Sequence, residues 1–366
     1  MKQKHERFTA IDLFCGAGGL TLGLKRAGFN VVAGVELYPE IAKTYQANHP
    51  DTKLLIKDVR EVTGKELFEL TSLKSIDLLS GCPPCQGFSK LTDKYRRKDS
   101  RNDLVLEMAR LVQEMSPKMV MMENVSGLAT RGKPILDELV KRLEHLDYLV
   151  NKEVLQLADY GVPQSRRRLV LLAGKGFHIP MPKRTHCDQG DKKAKLKPWL
   201  TLADVLKDMA EPMTLSTAIQ QGGPQKFNWH VVRDLTETSV QRYKATKPGA
   251  CRYSLPMNLR PRCHRNREKG FPNVYGRLSW DQIPPTITGG CTTPAKGRFG
   301  HPDQLRTISV REAALIQTFP KNYKFDTEFM DTVCDLVGNA LPYLFVRKVA
   351  TTCVEALKQL RIHRRP

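Results

Sequence analysis

Phe8-Thr9-Ala10-Ile11-Asp12-Leu13-Phe14-Cys15-Gly16-Ala17-Gly18-Gly19 is the stretch whose reading decides the fold. Residues 8–14 carry a mostly apolar run, the pattern of a buried strand, and the glycines after it permit a tight turn. Residues 20–29 then space their leucines helically and stop at Gly28. Strand, glycine loop and helix together open a nucleoside-binding α/β sheet. The next strand, 31–35, ends on Glu36, twenty residues after Gly16, where such folds read ribose hydroxyls.

A dinucleotide-binding loop shares this layout but needs glycine at position 21, and the chain has Thr21. A pyrophosphate cradle is therefore disfavoured. S-adenosylmethionine, with a ribose and no phosphate, suits the same frame. Further out, 53–56 reads as a third strand with Asp58 beyond it. That carboxylate could accept from an adenine amino group, cap a helix, or be a plain loop acid. Residues 76–80 form a fourth strand that delivers Gly81-Cys82-Pro83-Pro84-Cys85-Gln86-Gly87-Phe88-Ser89, and 118–122 a fifth that ends in Glu123-Asn124-Val125. Helical spacing over 102–115 and 134–146, and strands at 148–157 and 169–173, complete an alternating pattern. It predicts a mostly parallel sheet covered on both faces, with Gly16, Glu36, Asp58, Cys85 and Glu123 along its carboxyl edge.

Cys85, between prolines and glycine just past a strand, suits a nucleophile; a redox pair with Cys82, half a zinc site and a buried structural thiol are the other readings. Nine scattered cysteines argue for reduced thiols rather than a disulfide framework. The formal net charge of +21 calls for a polyanion, with nucleic acid the common one. No apolar run approaches the roughly 20 residues that span a bilayer, so no membrane partner is expected. The charged opening 1–7 does not read as a signal peptide, which predicts a cytoplasmic protein.

Past Gly174 the character changes. Residues 175–197 are rich in Lys, Pro, His and Gly, and 200–305 are irregular and dense in Arg, Gly and Pro. Arg260-Pro261-Arg262-Cys263-His264-Arg265-Asn266-Arg267 reads as a solvated loop or as a phosphate contact. Cys251, Cys263, His264 and Cys291 lack the tight spacing of a zinc site, so no metal is expected. Residues 310–319 and 343–360 return to helical spacing, and the last of these is expected to pack back on the first domain.

With these stretches in view the chain resembles the DNA (cytosine-5)-methyltransferases, of the kind found in bacterial restriction-modification systems. The resemblance rests on 12–19, on 81–89 with its Pro-Cys-Gln core, on 123–125, and on Gln164-Ser165-Arg166-Arg167-Arg168. It continues through Arg311-Glu312-Ala313-Ala314 to Phe319-Pro320, and Gly338-Asn339-Ala340. It implies a Rossmann-like S-adenosylmethionine-dependent methyltransferase sheet over 1–178 and 331–366. A smaller, irregular, β-rich target-recognition domain is expected over 179–330. The cofactor would meet Phe14, Gly16, Ala17, Gly18, Gly19, Glu36, Leu37, Asp58, Val59, Pro83, Asn339 and Ala340.

By the same resemblance, Cys85 would attack carbon 6 of a cytosine flipped out of duplex DNA. Glu123 would neutralise ring nitrogen 3, Arg168 would hold the base oxygen, and Arg166 would lie near the carboxylate and a phosphate. Ser89, Lys90, Arg96, Arg97 and Arg101 would contact DNA from a closing loop, and Gln164 would join them. Cys82 reads as a packing residue. A monomer acting on double-stranded DNA, beside a separate cognate endonuclease, is the expectation. An RNA cytosine-5 methyltransferase and a catalytically inactive DNA-binding module are the alternatives.

Overall fold

The computed structural model describes residues 7–84, 103–265 and 270–363. Cys85, Ser89, Lys90, Arg96, Arg97 and Arg101, all expected at the site, lie outside them. Contacts divide the chain into two units, Met1–Tyr160 with Arg167–Thr185 and Leu341–Pro366, and Gly161–Arg166 with His186–Ala340. The expected boundaries, 178/179 and 330/331, stand beside 185/186 and 340/341. Asn339 and Ala340, expected with the cofactor residues, belong to the second unit.

The first unit is built on β1 (Thr9–Leu13), buried past its first residue as its apolar run dictates. After α1 (Gly19–Ala27), β2 (Asn30–Glu36), α2 (Pro39–Asn48), β3 (Lys53–Ile56) and α3 (Gly64–Thr71) come β4 (Leu78–Gly81) and α4 (Leu104–Met115). Next are β5 (Met119–Val125), α5 (Lys133–Glu144), β6 (Tyr148–Gln156) and β7 (Arg167–Lys175). The sheet runs β3-β2-β1-β4-β5-β7-β6. Strands β1 to β5 pair in parallel; β7 alone is antiparallel, to β5 on one side and β6 on the other. The chain leaves β1 to build β2 and β3 on one side and returns to build β4 and β5 on the other. Such a reversal opens a crevice beyond the carboxyl ends of the two central strands.

Helices cover the sheet because their apolar faces have nowhere else to go. Val105, Met108, Leu111, Val112 and Met115 of α4 and Leu136, Leu139 and Leu143 of α5 join the strand side chains in one core. Truncating such a leucine to alanine costs about 2–5 kcal/mol. The closing helix, Tyr343–His363, packs against α1 as expected. A Cβ on Gly23 would lie 2.3 Å from Val346 Cβ and 2.9 Å from the Tyr343 carbonyl, so only glycine lets the two helices approach.

The second unit is irregular, as its Pro and Gly content predicts, but it holds less β structure than expected. Its strands are the two-residue pairs His186–Cys187 with Lys197–Pro198 and Met213–Thr214 with Val231–Val232, and its longer elements are helices such as Glu237–Ala245, Val310–Ile316 and Met330–Asn339. Much of what strand ladders would do is done by arginines that donate to loop carbonyls. Arg277 reaches the carbonyls of His301, Tyr243 and Thr246 at 3.0–3.2 Å, Arg252 those of Phe271 and Gly270, and Arg311 those of Asn228 and Tyr323. A guanidinium carries five donors and can satisfy several buried carbonyls at once. Burial depresses Arg277 and brings Arg311 down to about 10.

Candidate active site

The loop between β1 and α1 is made by left-handed backbone. Phe14, Gly16 and Gly18 have φ of 58°, 53° and 87°, and the Gly18 N–H closes a turn onto the Cys15 carbonyl at 2.8 Å. Glu36, at the tip of β2, fastens this loop. One carboxylate oxygen accepts from the Gly16 N–H at 3.0 Å and the other from Leu37 and Tyr38 N–H at 3.0 and 3.1 Å. Burial pushes the Glu36 carboxyl upward and the three N–H donors offset part of that. The oxygen that accepts from Gly16 retains a lone pair, so the residue can hold the loop and still accept one hydroxyl. Leu37 and Tyr38 lie exposed just beyond it.

Thr21 stands where a pyrophosphate loop has glycine, and the structure gives its reason. Its hydroxyl donates to Asp12 Oδ2 at 2.6 Å and meets the Tyr45 hydroxyl at 2.8 Å, all three buried. Thr21 therefore ties α1 to β1 and α2 beneath the loop. The other Asp12 oxygen is buried without a protein partner, and burial, eased by the Thr21 bond, raises this carboxyl to about 7. Asp58 does act as a cap: it accepts from the Arg60 N–H at 3.0 Å and pairs with the Arg60 guanidinium, whose hydrogen bonds hold the carboxyl low. Val59 beside it is buried, its carbonyl bonded by Arg110 at 2.9 Å.

Beyond β4 and β5 the strand ends are cross-tied. Register sets Gly81 against Met122, and two residues further the Asn124 side-chain amide donates to the Pro83 carbonyl at 3.1 Å. Between these two ties Cys82 and Glu123 face each other. Burial, then the charges of Glu123 and Asp12, push the Cys82 thiol well above its ordinary value, so it is neutral. From the antiparallel neighbour, Arg168 Nε donates to Glu123 Oε1 at 2.8 Å, with both side chains largely buried. The reversed strand β7 is what brings residue 168 opposite residue 125. Asn124 was quoted in the sequence only as part of a motif; its hold on Pro83 depends on a partner 41 positions away.

In the second unit, Gln164 and Arg166 take places that their expected DNA and catalytic roles did not anticipate. Gln164 is fully buried, its amide donating to Gln317 Oε1 at 2.6 Å and accepting from the Ile287 N–H at 3.0 Å. Arg166 is buried under bonds to the carbonyls of Ile287, Gly338 and Ala340 at 3.0–3.3 Å. Gly338 lets the helix Met330–Asn339 meet residues 288 and 289 backbone to backbone, since a Cβ there would sit 2.2 Å from the Gly289 nitrogen. Arg260 is likewise turned inward, to the carbonyls of Leu255 and Tyr253 at 2.8 and 2.7 Å. A cleft of about 550 Å³ lies in this unit, lined among others by Phe271, Asn273, Thr286, Thr288, Lys296 and Arg298, with two cations and no carboxylate.

A parallel sheet with one reversed strand, a glycine loop lacking the third glycine and an acid at the tip of β2 define a methyltransferase of the S-adenosylmethionine class. The profile of the C-5 cytosine-specific DNA methylase family matches residues 8–355, and the chain belongs to that family. It is 37% identical over 361 residues to the Type II methylase M.HgiDII of Herpetosiphon aurantiacus, covering 97% of each chain. With the Type II methyltransferase M1.HphI of Haemophilus parahaemolyticus it shares 32% identity over 347 residues, 93% of this chain and 85% of that one. The S. pombe Dnmt2 methyltransferase has the same fold, with a TM-score of 0.65 at 16% identity, over 96% of this chain and 99% of its own. The chain is thus a DNA methyltransferase acting on carbon 5 of cytosine, and family membership implies S-adenosylmethionine as donor.

Proposed function

We propose that the chain methylates a cytosine turned out of a specific duplex DNA sequence, with Cys85 as nucleophile and Glu123 as proton donor. The observation that carries this reading is the Glu123 carboxylate, held by Arg168 at 2.8 Å and flanked by the Asn124–Pro83 tie that fixes the backbone two residues before Cys85. Cytosine carbon 5 is a poor nucleophile. Addition of the Cys85 sulfur to carbon 6 displaces the ring π pair toward nitrogen 3, and a Glu123 O–H gives its proton to that nitrogen as the charge arrives. Carbon 5 is then electron-rich and takes the methyl group. A base takes the carbon-5 proton, the freed pair restores the carbon 5–carbon 6 double bond and expels the sulfur as thiolate, and nitrogen 3 returns its proton to Glu123.

The bound S-adenosylmethionine supplies an electrophilic methyl. Its fit rests on the left-handed loop at 14–18, on the spare lone pair of Glu36, on Leu37 and Tyr38 beyond it, and on the absence of a phosphate cradle at Thr21. Phe14, Gly16, Ala17, Gly18, Gly19, Glu36, Leu37, Asp58, Val59 and Pro83 are assigned to it. Arg168 both positions Glu123 and lies ready for the base oxygen. Arg166 and Gln164 act as positioning residues for the 284–290 segment, since their donors serve protein carbonyls and amides.

Target recognition is assigned to the second unit. The cleft with Lys296 and Arg298, and with Phe271 59% exposed at its edge, suits an anionic strand with a base stacked on the ring. The similarity to Type II methylases supports a role as a modification enzyme, acting as a cytoplasmic monomer beside a separate endonuclease. Among the described residues no helix is long and apolar enough to cross a membrane. Incubation with labelled S-adenosylmethionine and either plasmid DNA or tRNA, followed by mapping of 5-methylcytosine, tests the reading. Label at one recurrent DNA sequence is expected; label confined to tRNA would replace it with RNA modification.

A further inference from the structure

We infer that Cys82 is a positioning residue for the reaction, its thiol holding the Glu123 carboxylate in the orientation that meets the cytosine ring. The inference rests on the assignment of Glu123 as proton donor. Two ties bracket the pair: the register of Gly81 with Met122 below it and the Asn124–Pro83 hydrogen bond above it. Adjacent parallel strands carry paired side chains on the same face, so residues 82 and 123 are directed together. The charged and titratable groups around them are few. Arg168 faces Glu123 from β7 at 2.8 Å, and the charge of Asp12, on β1, also acts on Cys82.

A carboxylate held by one donor can still swing about its last torsion, which is broad for glutamate. Arg168 Nε takes Oε1, and a second donor from the opposite strand stops that rotation. A neutral S–H is suited to the task because it donates without adding charge beside a carboxylate that has to accept and release a proton. A packing role would require only bulk at position 82. The positioning role requires a donor, so serine can replace cysteine and alanine cannot.

The test is single-turnover methylation of duplex DNA by the full chain, with melting temperature recorded for each variant. Cys82→Ala is expected to lower the methyl-transfer rate roughly five- to tenfold while leaving the KM values for DNA and S-adenosylmethionine unchanged. Cys82→Ser is expected to restore most of it. In a Glu123→Gln background, Cys82→Ala is expected to cause no further loss, because the thiol acts through that carboxylate. A wild-type rate for Cys82→Ala, a serine variant no better than alanine, or losses that multiply in the double variant would each overturn the inference. A Glu123→Gln enzyme as fast as wild type would instead remove the assignment beneath it.

Discussion

Gly338 offers a sharp test of how the second unit is held. In Gly338→Ala, the added Cβ would lie 2.2 Å from both the Gly289 nitrogen and the Thr288 carbonyl carbon and 2.8 Å from Gly289 Cα. Ordinary contacts begin near 3.4 Å, so the helix Met330–Asn339 and the facing backbone must part by about 1 Å. Both partners are backbone, and no side chain can swing aside. Overpacking of this kind costs about 1–3 kcal/mol. The displacement also loosens the Arg166 bonds to Ile287, Gly338 and Ala340, each worth about 1 kcal/mol. The combined loss is about 3–5 kcal/mol. Calorimetry should show the unfolding transition of the variant lowered by several degrees, with methylation falling in parallel. Gly28→Ala is the control: it has φ of 107° but nothing within 4 Å, so it bears backbone strain without a clash and should lose much less. Equal melting temperatures for Gly338→Ala and wild type would refute the close approach.

Asn124→Ala frees the buried Pro83 carbonyl, at a cost of about 1–3 kcal/mol, and should lower turnover at least tenfold while calorimetric S-adenosylmethionine binding stays near normal. Asp12, raised to about 7, favours the folded state most in its neutral form. Its contribution is complete below about pH 4 and is lost as pH rises through 7, by up to about 4 kcal/mol. Asp12→Asn should therefore flatten the fall in melting temperature between pH 5 and 8, in a buffer series comparing the two proteins. Lys296→Ala should weaken binding to all duplexes alike and reduce the salt slope of DNA affinity by about 1.

The first unit was legible because its signals are local. Apolar runs ending in glycine or an acid gave β1, β2, β4 and β5, and the missing glycine at 21 pointed away from a pyrophosphate loop, which agrees with the Thr21 bridge to Asp12 and Tyr45. Asp58 shows the limit of such reading: cap and ligand were both open, and only the fold reveals the Arg60 pairing. Gln164, Arg166 and Arg260 were harder still. Their position in basic motifs suggested DNA, yet they donate inside the protein, Gln164 and Arg166 to groups more than a hundred residues away and Arg260 to carbonyls five and seven residues back. Net charge counts such arginines with the surface ones. Periodicity likewise could not show that the middle of the chain relies on arginine-to-carbonyl bonds where strands were expected.

The central claim is that cytosine is activated by a covalent bond from Cys85, and a duplex carrying 5-fluorocytosine at the mapped target tests it directly. Fluorine cannot leave carbon 5 as the proton does, so the sulfur–carbon bond should persist after methylation. The account predicts a denaturant-resistant protein–DNA adduct whose mass locates to the peptide containing Cys85, and none with Cys85→Ser. Methylation of ordinary DNA without any such adduct, or an adduct retained in Cys85→Ser, would contradict it.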